Sequence, residues 1–281
     1  MTPSEKKQLS IMACKIRKGI VEATHSAKSG HPGGSLSATE LFTYLYFKEL
    51  NVDPANPKWE DRDRFVLSKG HTAPGLYSAL ANRGFFPVED LKTLRKTSSY
   101  LQGHPNMNYV PGVDMSTGSL GQGISCAAGM ALGLKHQGKS ARVYTLLGDG
   151  EIQEGQVWEA CMLAAHYKLD NFVVIVDNNG LQIDGAVDKV MSPYPIVDKL
   201  AAFGFNTLAI DGHSFEEIEA AMERAKEVKG QPSAIVMKTT KGKDVSFMEN
   251  NAGWHGKAPN DAELEQAMNE LTAALAELEA Q

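Results

Sequence analysis

The stretch over residues 144–184, YTLLGDGEIQEGQVWEACMLAAHYKLDNFVVIVDNNGLQID, constrains the fold more than any other part of the chain. An apolar strand pattern over 143–147 ends in Gly148-Asp149-Gly150. A helical pattern follows, then a second, more apolar strand over 172–176 that ends in Asp177-Asn178-Asn179. Strand, helix, strand is a βαβ unit, and the intervening length suffices for a parallel crossover. A carboxylate and a carboxamide then stand at the C-terminal tips of two parallel strands. If the strands are neighbours they lie roughly 5 Å apart. Ligands of open α/β sheets bind along that edge. Oxygen donors there suit a hard divalent cation, and Mg2+ usually brings phosphate oxygens with it. The flanking glycines let backbone N–H groups approach such phosphates closely.

The same alternation runs through the rest of the chain. Residues 4–24 read as a helix, with Leu9, Met12, Ala13, Ile16, Ile20 and Val21 near a 3.6-residue period. Residues 30–35 break it, and 36–47 resume a helix. A Pro- and charge-rich loop over 51–63 leads to a short strand at 64–68 and a helix at 74–82. Residues 102–121 are rich in Gly, Pro and Asn and read as loop, and an Ala- and Gly-rich helix follows over 121–136. After the βαβ unit come a helix at 195–203, a strand at 207–210, a helix at 214–228 and a strand at 234–237. Ser214 and Glu217 have the spacing of a capping box at the start of the helix over 214–228. A last amphipathic helix over 261–279 carries Leu264, Met268, Leu271, Leu275 and Leu278 on one face. The expected fold is α/β: one domain over residues 1–281, a doubly wound parallel sheet with helices on both faces, an N-terminal helix and a C-terminal amphipathic helix.

A net charge of -6 argues against nucleic acid as a partner, and an anionic ligand needs local help from a metal, histidines or lysines. Cys14, Cys126 and Cys161 are widely spaced and read as free thiols in a reducing compartment. The first seven residues are polar and charged, unlike a secretory leader, and no apolar run approaches about 18 residues. The expectation is a cytoplasmic protein that does not span a membrane.

Four of the eight histidines sit in glycine-flanked loops: His31 and His104 in Gly-His-Pro, His71 in Ser-Lys-Gly-His and His255 in Trp-His-Gly-Lys. One such histidine is ordinary loop chemistry; four point to a common site. None has zinc-ligand spacing to another. His25, His136, His166 and His213 lack this setting and receive no role.

GDG followed, after 27 intervening residues, by NN resembles the thiamine diphosphate binding motif. Further blocks resemble transketolase: SGHPGGSLSATEL at 29–41, DRDRFVLSKGHTAPGLY at 61–77, GHP at 103–105, STGSLGQGISCAAGMA at 116–131, and TTKGKDV with NNAGWHGKAP within 239–259. Together they span almost the whole chain in transketolase order, and resemble the N-terminal, diphosphate-binding domain of that family.

The resemblance implies roles. Asp149, Asn179 and the carbonyl of Leu181 hold Mg2+ (with Ca2+ or Mn2+ as substitutes), which bridges to the cofactor's diphosphate. Gly150 approaches the diphosphate through its backbone, and Glu154 supports the metal side from outside its ligand shell. Lys69, His71, Lys241 and His255 surround the cofactor. Gly118, Leu120 and Gly121 line its thiazolium side. His31, His71, His104 and His255 form the catalytic group, with His31, His104 and His255 toward the sugar hydroxyls. The implied reaction moves a two-carbon ketol unit from a ketose phosphate to an aldose phosphate, and histidine suits the proton exchange near neutral pH.

A full transketolase is more than twice as long, and its second domain binds the cofactor's aminopyrimidine ring. This chain ends at Gln281 without such a region. The expectation is the N-terminal subunit of a split transketolase of the pentose phosphate pathway. It would be inactive alone, and paired as an α2β2 heterotetramer with a C-terminal subunit that carries the pyrimidine-binding and C-terminal domains. Alternatives are a split transketolase specialised for another ketose phosphate or a sulfo-sugar, the α-subunit of a 2-oxo acid dehydrogenase first component, or a non-catalytic regulatory module.

Overall fold

The five longer strand patterns, rich in Val, Ile and Leu, pair into one wholly parallel sheet. In the computed structural model, which describes residues 1–280, they are β1 (Arg64–Leu67), β2 (Val143–Gly148), β3 (Phe172–Asn178), β6 (Asn206–Asp211) and β7 (Ser233–Lys238). Their spatial order is β1-β2-β3-β7-β6. β2 and β3 are neighbours, and their register sets Gly148 opposite Asp177. The two acidic strand ends of the βαβ unit therefore meet at one edge. Beyond β3 the chain turns into a small antiparallel hairpin, β4 (Leu181–Gln182) with β5 (Gly185–Ala186).

Successive residues of each strand face opposite layers. Phe65, Leu67, Tyr144, Leu146, Val173, Ile175, Ile235 and Met237 face one core. That core is closed by α1 (Pro3–Ala27), α3 (Thr39–Tyr44), α4 (Ala73–Arg83), α9 (Phe215–Glu227) and α10 (Asp261–Ala280). Val66, Val143, Leu147, Phe172, Val174, Val176, Ala234 and Val236 face the other. There α5 (Gln122–His136), α6 (Gly155–His166) and α8 (Ile196–Ala202) pack through Ala127, Ala128, Ala131, Ala160, Ala164 and Leu200. Both faces of the sheet are covered, as the alternation predicts. A short helix, α7 (Val187–Val190), follows the hairpin.

Local details depart from the sequence reading at three helix ends. α1 starts earlier than residue 4, because Thr2 and Glu5 form both halves of a capping box: the Thr2 hydroxyl accepts from the Glu5 N–H, and the Glu5 carboxylate accepts from the Thr2 N–H. The helix expected over 36–47 is instead α2 (Pro32–Ser37), α3 and a widened turn over Leu45–Glu49. Gly33 and Gly34, which read as a break, lie inside α2, which begins with proline at its first turn. A Cβ at Gly33 would stand 2.7 Å from the Trp254 carbonyl, so the glycine allows two backbone segments to touch. At α9 only half of the expected capping box forms. Ser214 accepts from the Glu217 N–H, while the Glu217 carboxylate turns to the Asp211 N–H at 2.8 Å and closes the β6–α9 turn instead.

The leucine stripe of α10 serves this domain. Leu271 is buried, Leu264, Leu275 and Leu278 pack at the margin of the first core, and the Cys14 thiol donates to the Leu271 carbonyl at 3.0 Å. Among the described residues no helix is long and apolar enough to cross a membrane.

Candidate active site

A cleft of about 330 Å3 opens at the C-terminal edge of β1, β2 and β3. His31, Lys69, His71, Gly118, Leu120, Asp149, Gly150, Glu154, Asn179, Leu181, Lys241 and His255 all line it, from segments scattered over the whole sequence. Each arrives by a short route. Lys69 and His71 follow the end of β1; His31 caps α2; Asp149 and Asn179 follow β2 and β3; Lys241 follows β7; His255 follows the short turn Ala252–Trp254. His104 and Gly121 stand just outside the lining. His104 packs behind Gly118, where a Cβ would meet its ring at 3.0 Å and where φ is +154°. Gly121 caps α5, and its N–H donates to the Glu151 carboxylate at 2.9 Å.

The βαβ tips form the floor. Asp149 is buried, and its carboxylate accepts from the Gly150 N–H at 2.8 Å and the Gly180 N–H at 2.6 Å. Gly180 adopts φ +78°, which lets the Asn179–Leu181 turn fold back toward Asp149. Asn179 Oδ1 accepts from the Leu181 N–H at 3.1 Å, and the Leu181 carbonyl accepts from Lys241 Nζ at 3.3 Å. A carboxylate, a carboxamide oxygen and a backbone carbonyl thus converge. Burial, then the neighbouring Asp177 carboxylate, lift the Asp149 carboxyl to about 6. An oxygen-only donor set of this kind, with Asp149 buried and Asn179 and Leu181 half-buried at the cleft, fits a hard divalent cation. Among the described residues no three His, Cys, Asp or Glu gather as a metal cage, and the proposed set, with its single carboxylate, is not of that type.

The four glycine-flanked histidines meet. His71 and His255 stack with centroids 5.1 Å apart; His31 stands edge-on to both, at 5.1 and 5.4 Å, and His104 lies 6.4 Å from His31. Burial is the main cause that depresses all of them, aided by neighbouring histidines and cations: His31 to about 4, His255 to about 3, His71 well below its ordinary value and His104 in the same direction. Each is neutral at pH 7 and able to donate at one nitrogen and accept at the other. His31 Nδ1 is buried without a hydrogen-bond partner in the chain, an orphan suited to a ligand hydroxyl. Lys241 Nζ lies 3.1 Å from His255 Nδ1, and burial, then Lys69, lower its ammonium to about 8.

Two acidic residues that sequence reasoning passed over hold this arrangement together. Asp177, with no exposure, accepts from Lys69 Nζ at 2.5 Å, Ser37 Oγ at 2.6 Å, Asn179 Nδ2 at 2.8 Å and the Thr239 hydroxyl. Burial alone would raise its carboxyl, but Lys69 and these donors hold it below the usual range. By taking the Asn179 amide nitrogen, Asp177 leaves the amide oxygen facing the other way. Glu151 is the buried support on the β2 side, accepting from Ser68 Oγ at 2.5 Å and the N–H groups of Gly121 and Gly148 at 2.9 and 3.0 Å. Glu154 lies at the cleft wall against Gly121. The signal for Asp177 was its place at the end of an apolar strand, one residue before Asn-Asn.

Residues 8–276 match the family described as "Transketolase, thiamine diphosphate binding domain". The chain belongs to the transketolase family. It is 45% identical over 256 residues to the 6-deoxy-6-sulfo-D-fructose transketolase subunit SqwG of Clostridium sp. (strain MSTE9), with 91% of this chain and 93% of that one covered. It is 41% identical over 271 residues to an apulose-4-phosphate transketolase subunit of Phocaeicola vulgatus, with 96% of each covered. Its fold superposes on the transketolase of Campylobacter jejuni subsp. jejuni with a TM-score of 0.88 at 33% identity, covering 96% of this chain but 45% of that one. The chain thus matches separate transketolase subunits nearly end to end, and spans under half of a one-chain relative.

Proposed function

We propose that this chain is the N-terminal, diphosphate-binding subunit of a two-chain transketolase. The observation that carries the reading is the cleft itself: three lining histidines, with His104 beside them, next to carboxylate, carboxamide and carbonyl oxygens. Asp149, Asn179 and the Leu181 carbonyl would hold Mg2+, and Lys69, His71, Lys241 and His255 would surround the diphosphate. When bound, thiamine diphosphate supplies the nucleophilic carbon and electron sink that ketose cleavage needs. The chain's own residues bind and orient the sugar. His31, His104 and His255 accept and return protons at its hydroxyl oxygens, each neutral imidazole offering one accepting and one donating nitrogen. The histidine quartet also speaks against the 2-oxo acid dehydrogenase reading and against a non-catalytic module.

Leu120 and Ile183 line the cleft and are exposed. Two more exposed apolar residues stand beside it: the Met191 carbonyl accepts from the cleft residue Gln153, and the Tyr194 hydroxyl donates to Asn178 at the tip of β3. They support a partner that covers the mouth: a C-terminal subunit with the pyrimidine-binding and C-terminal domains, in an α2β2 assembly. Obligate interfaces of that kind bury more than about 2,000 Å2 and are rich in apolar surface. The substrate class is a ketose phosphate donor with an aldose phosphate acceptor. The two subunit relatives are named for 6-deoxy-6-sulfo-D-fructose and apulose-4-phosphate, which favours a specialised sugar as the second reading. The test mixes the chain with its partner subunit, thiamine diphosphate and Mg2+, and measures ketol transfer over a panel of ketose phosphates and sulfo-sugars. Transfer only in the mixture is expected. Robust transfer by this chain alone overturns the two-chain reading.

A further inference from the structure

Lys241 reaches the cleft from the loop after β7, and its own carbonyl accepts from the Asn250 N–H at 2.9 Å. At the loop's start the Thr239 hydroxyl donates to Asp177 and the Thr239 N–H to the Asn178 carbonyl at 3.3 Å. At its far end the Gly242 N–H donates to the Gly33 carbonyl at 2.9 Å, and the Arg17 guanidinium reaches the Lys243 carbonyl at 3.3 Å and the Asp244 carboxylate at 3.2 Å. Between them the residue before Lys241 has one tether: the Thr240 N–H donates to His213 Nε2 at 2.8 Å.

A ring nitrogen that receives an amide N–H offers a bare lone pair, so His213 carries its proton on Nδ1. That nitrogen lies 2.9 Å from Glu40 Oε2, which accepts the proton's hydrogen bond. The other Glu40 oxygen is ion-paired with Arg17, and Arg17 and Glu40 are only 3% and 6% exposed. Arg17 therefore acts twice, once on Glu40 and once on the far end of the loop. His213 lies outside the histidine quartet, at a separate hollow that Asp211, Glu217, Lys238 and Thr240 also line. A half-buried imidazole with both nitrogens engaged, one of them by a carboxylate, is the arrangement by which proteins fix a ring's tautomer and orientation.

We infer that His213 is a positioning residue for Lys241, acting through the Thr240 N–H, with Glu40 and Arg17 fixing its tautomer from behind. The inference rests on the reading of Lys241 as a diphosphate contact, but its structural half stands on this loop alone. Two variants of the full chain test it. His213→Gln keeps an acceptor close to the Nε2 position; His213→Leu fills the space and accepts nothing. Hydrogen exchange at the Thr240 amide should speed up at least about tenfold in His213→Leu and stay near the parent rate in His213→Gln. Calorimetric titration with Mg2+ and inorganic diphosphate should show affinity about tenfold weaker in His213→Leu, with most of the loss rescued in His213→Gln. Unchanged exchange and affinity in His213→Leu overturn the inference. So does equal loss in both variants accompanied by equal loss of melting temperature, which marks His213 as a merely structural side chain. If the parent chain binds no diphosphate, the functional reading of the cleft fails while the exchange rates still decide the tether. If His213→Leu does not fold, the 15N shifts of the parent His213 ring decide it: a protonated Nε2 sinks the proposal.

Discussion

Removing the charge of Lys69 tests whether the cleft is organised by its buried ion pair. Lys69→Met keeps most of the aliphatic stem and deletes an ammonium that is 2% exposed and donates to Asp177 at 2.5 Å and to the Gly34 carbonyl at 3.0 Å. What remains is a carboxylate with no exposure and three neutral donors: Ser37, Thr239 and Asn179. Breaking one side of a buried pair costs roughly 3–5 kcal/mol, because the stranded charge is not solvated. The three surviving donors place this case at the low end, about 3 kcal/mol. At roughly 2–4 °C per kcal/mol, the melting temperature should fall by about 6–12 °C. Urea melts of the chain, with unchanged slope and a lower midpoint, measure the loss directly. The double variant Lys69→Met/Asp177→Leu should recover much of it, giving an interaction energy of about 2 kcal/mol or more. A single-variant loss under about 1 kcal/mol, or costs that simply add, would refute the assignment of Asp177 as a charge-dependent hub.

Three further outcomes are expected. Asp149→Ala should abolish Mg2+-dependent thiamine diphosphate binding by calorimetry while folding stability changes by no more than about 1 kcal/mol, since two lost N–H acceptor contacts are offset by removal of a buried carboxyl whose pKa is raised. Alanine at His31, His104 or His255 should each lower kcat/KM of the assembled enzyme at least about tenfold, near 1.4 kcal/mol of transition-state stabilisation, and full rates in all three would sink their catalytic role. The stability of the chain should fall with acid. The four clustered histidines titrate lower folded than unfolded, so the unfolded state binds protons first, and stability present above about 6.5 is lost as pH drops toward about 4. Asp149 opposes this with a raised folded value, so the slope is best read in the Asp149→Ala background, where His31→Gln/His255→Gln should flatten it.

The strands and the site's address were legible because both depend on local pattern. Apolar runs ending in Gly-Asp-Gly or Asp-Asn-Asn mark strands and their tips whatever the rest of the chain does. The four histidines were legible because an adjoining glycine is a local sign too. Asp177 and Glu151 were not: acidic residues next to glycine or asparagine look like loop surface, and only the neighbouring strands and α2 show that each is buried and saturated with donors. His213 was hidden for the same reason, since its partners Glu40 and Thr240 lie far away in sequence. The helix expected over 36–47 starts earlier and breaks at Ala38: Pro32 opens α2, and Gly33 lets that turn approach the Trp254 backbone, a contact that no spacing encodes. At Ser214 the spacing was right and the partner wrong, because the Ser214 N–H is taken by the Asp211 carbonyl and the Glu217 carboxylate accepts from the Asp211 N–H instead.

The two layers against the sheet are built from different-sized parts, and this should give the molecule an asymmetric tolerance to change. On the side of α1, α3, α4 and α9 the sheet meets Phe42, Tyr44, Tyr77 and Phe215, whose bulk fills the space. On the side of α5 and α6 it meets Ala127, Ala128, Ala131, Ala160 and Ala164, which let the helices lie close against the strands. Trimming one of these aromatics leaves a hole at roughly 3–5 kcal/mol; at the α5 and α6 alanines the damage comes from adding bulk. A saturation scan read out by folding should therefore show opposite responses at these two sets of positions, the aromatics intolerant of shrinkage and the alanines of growth. Variation among relatives should be correspondingly constrained in opposite directions at the two sets, so that one sheet carries two regimes of substitution on its opposite faces.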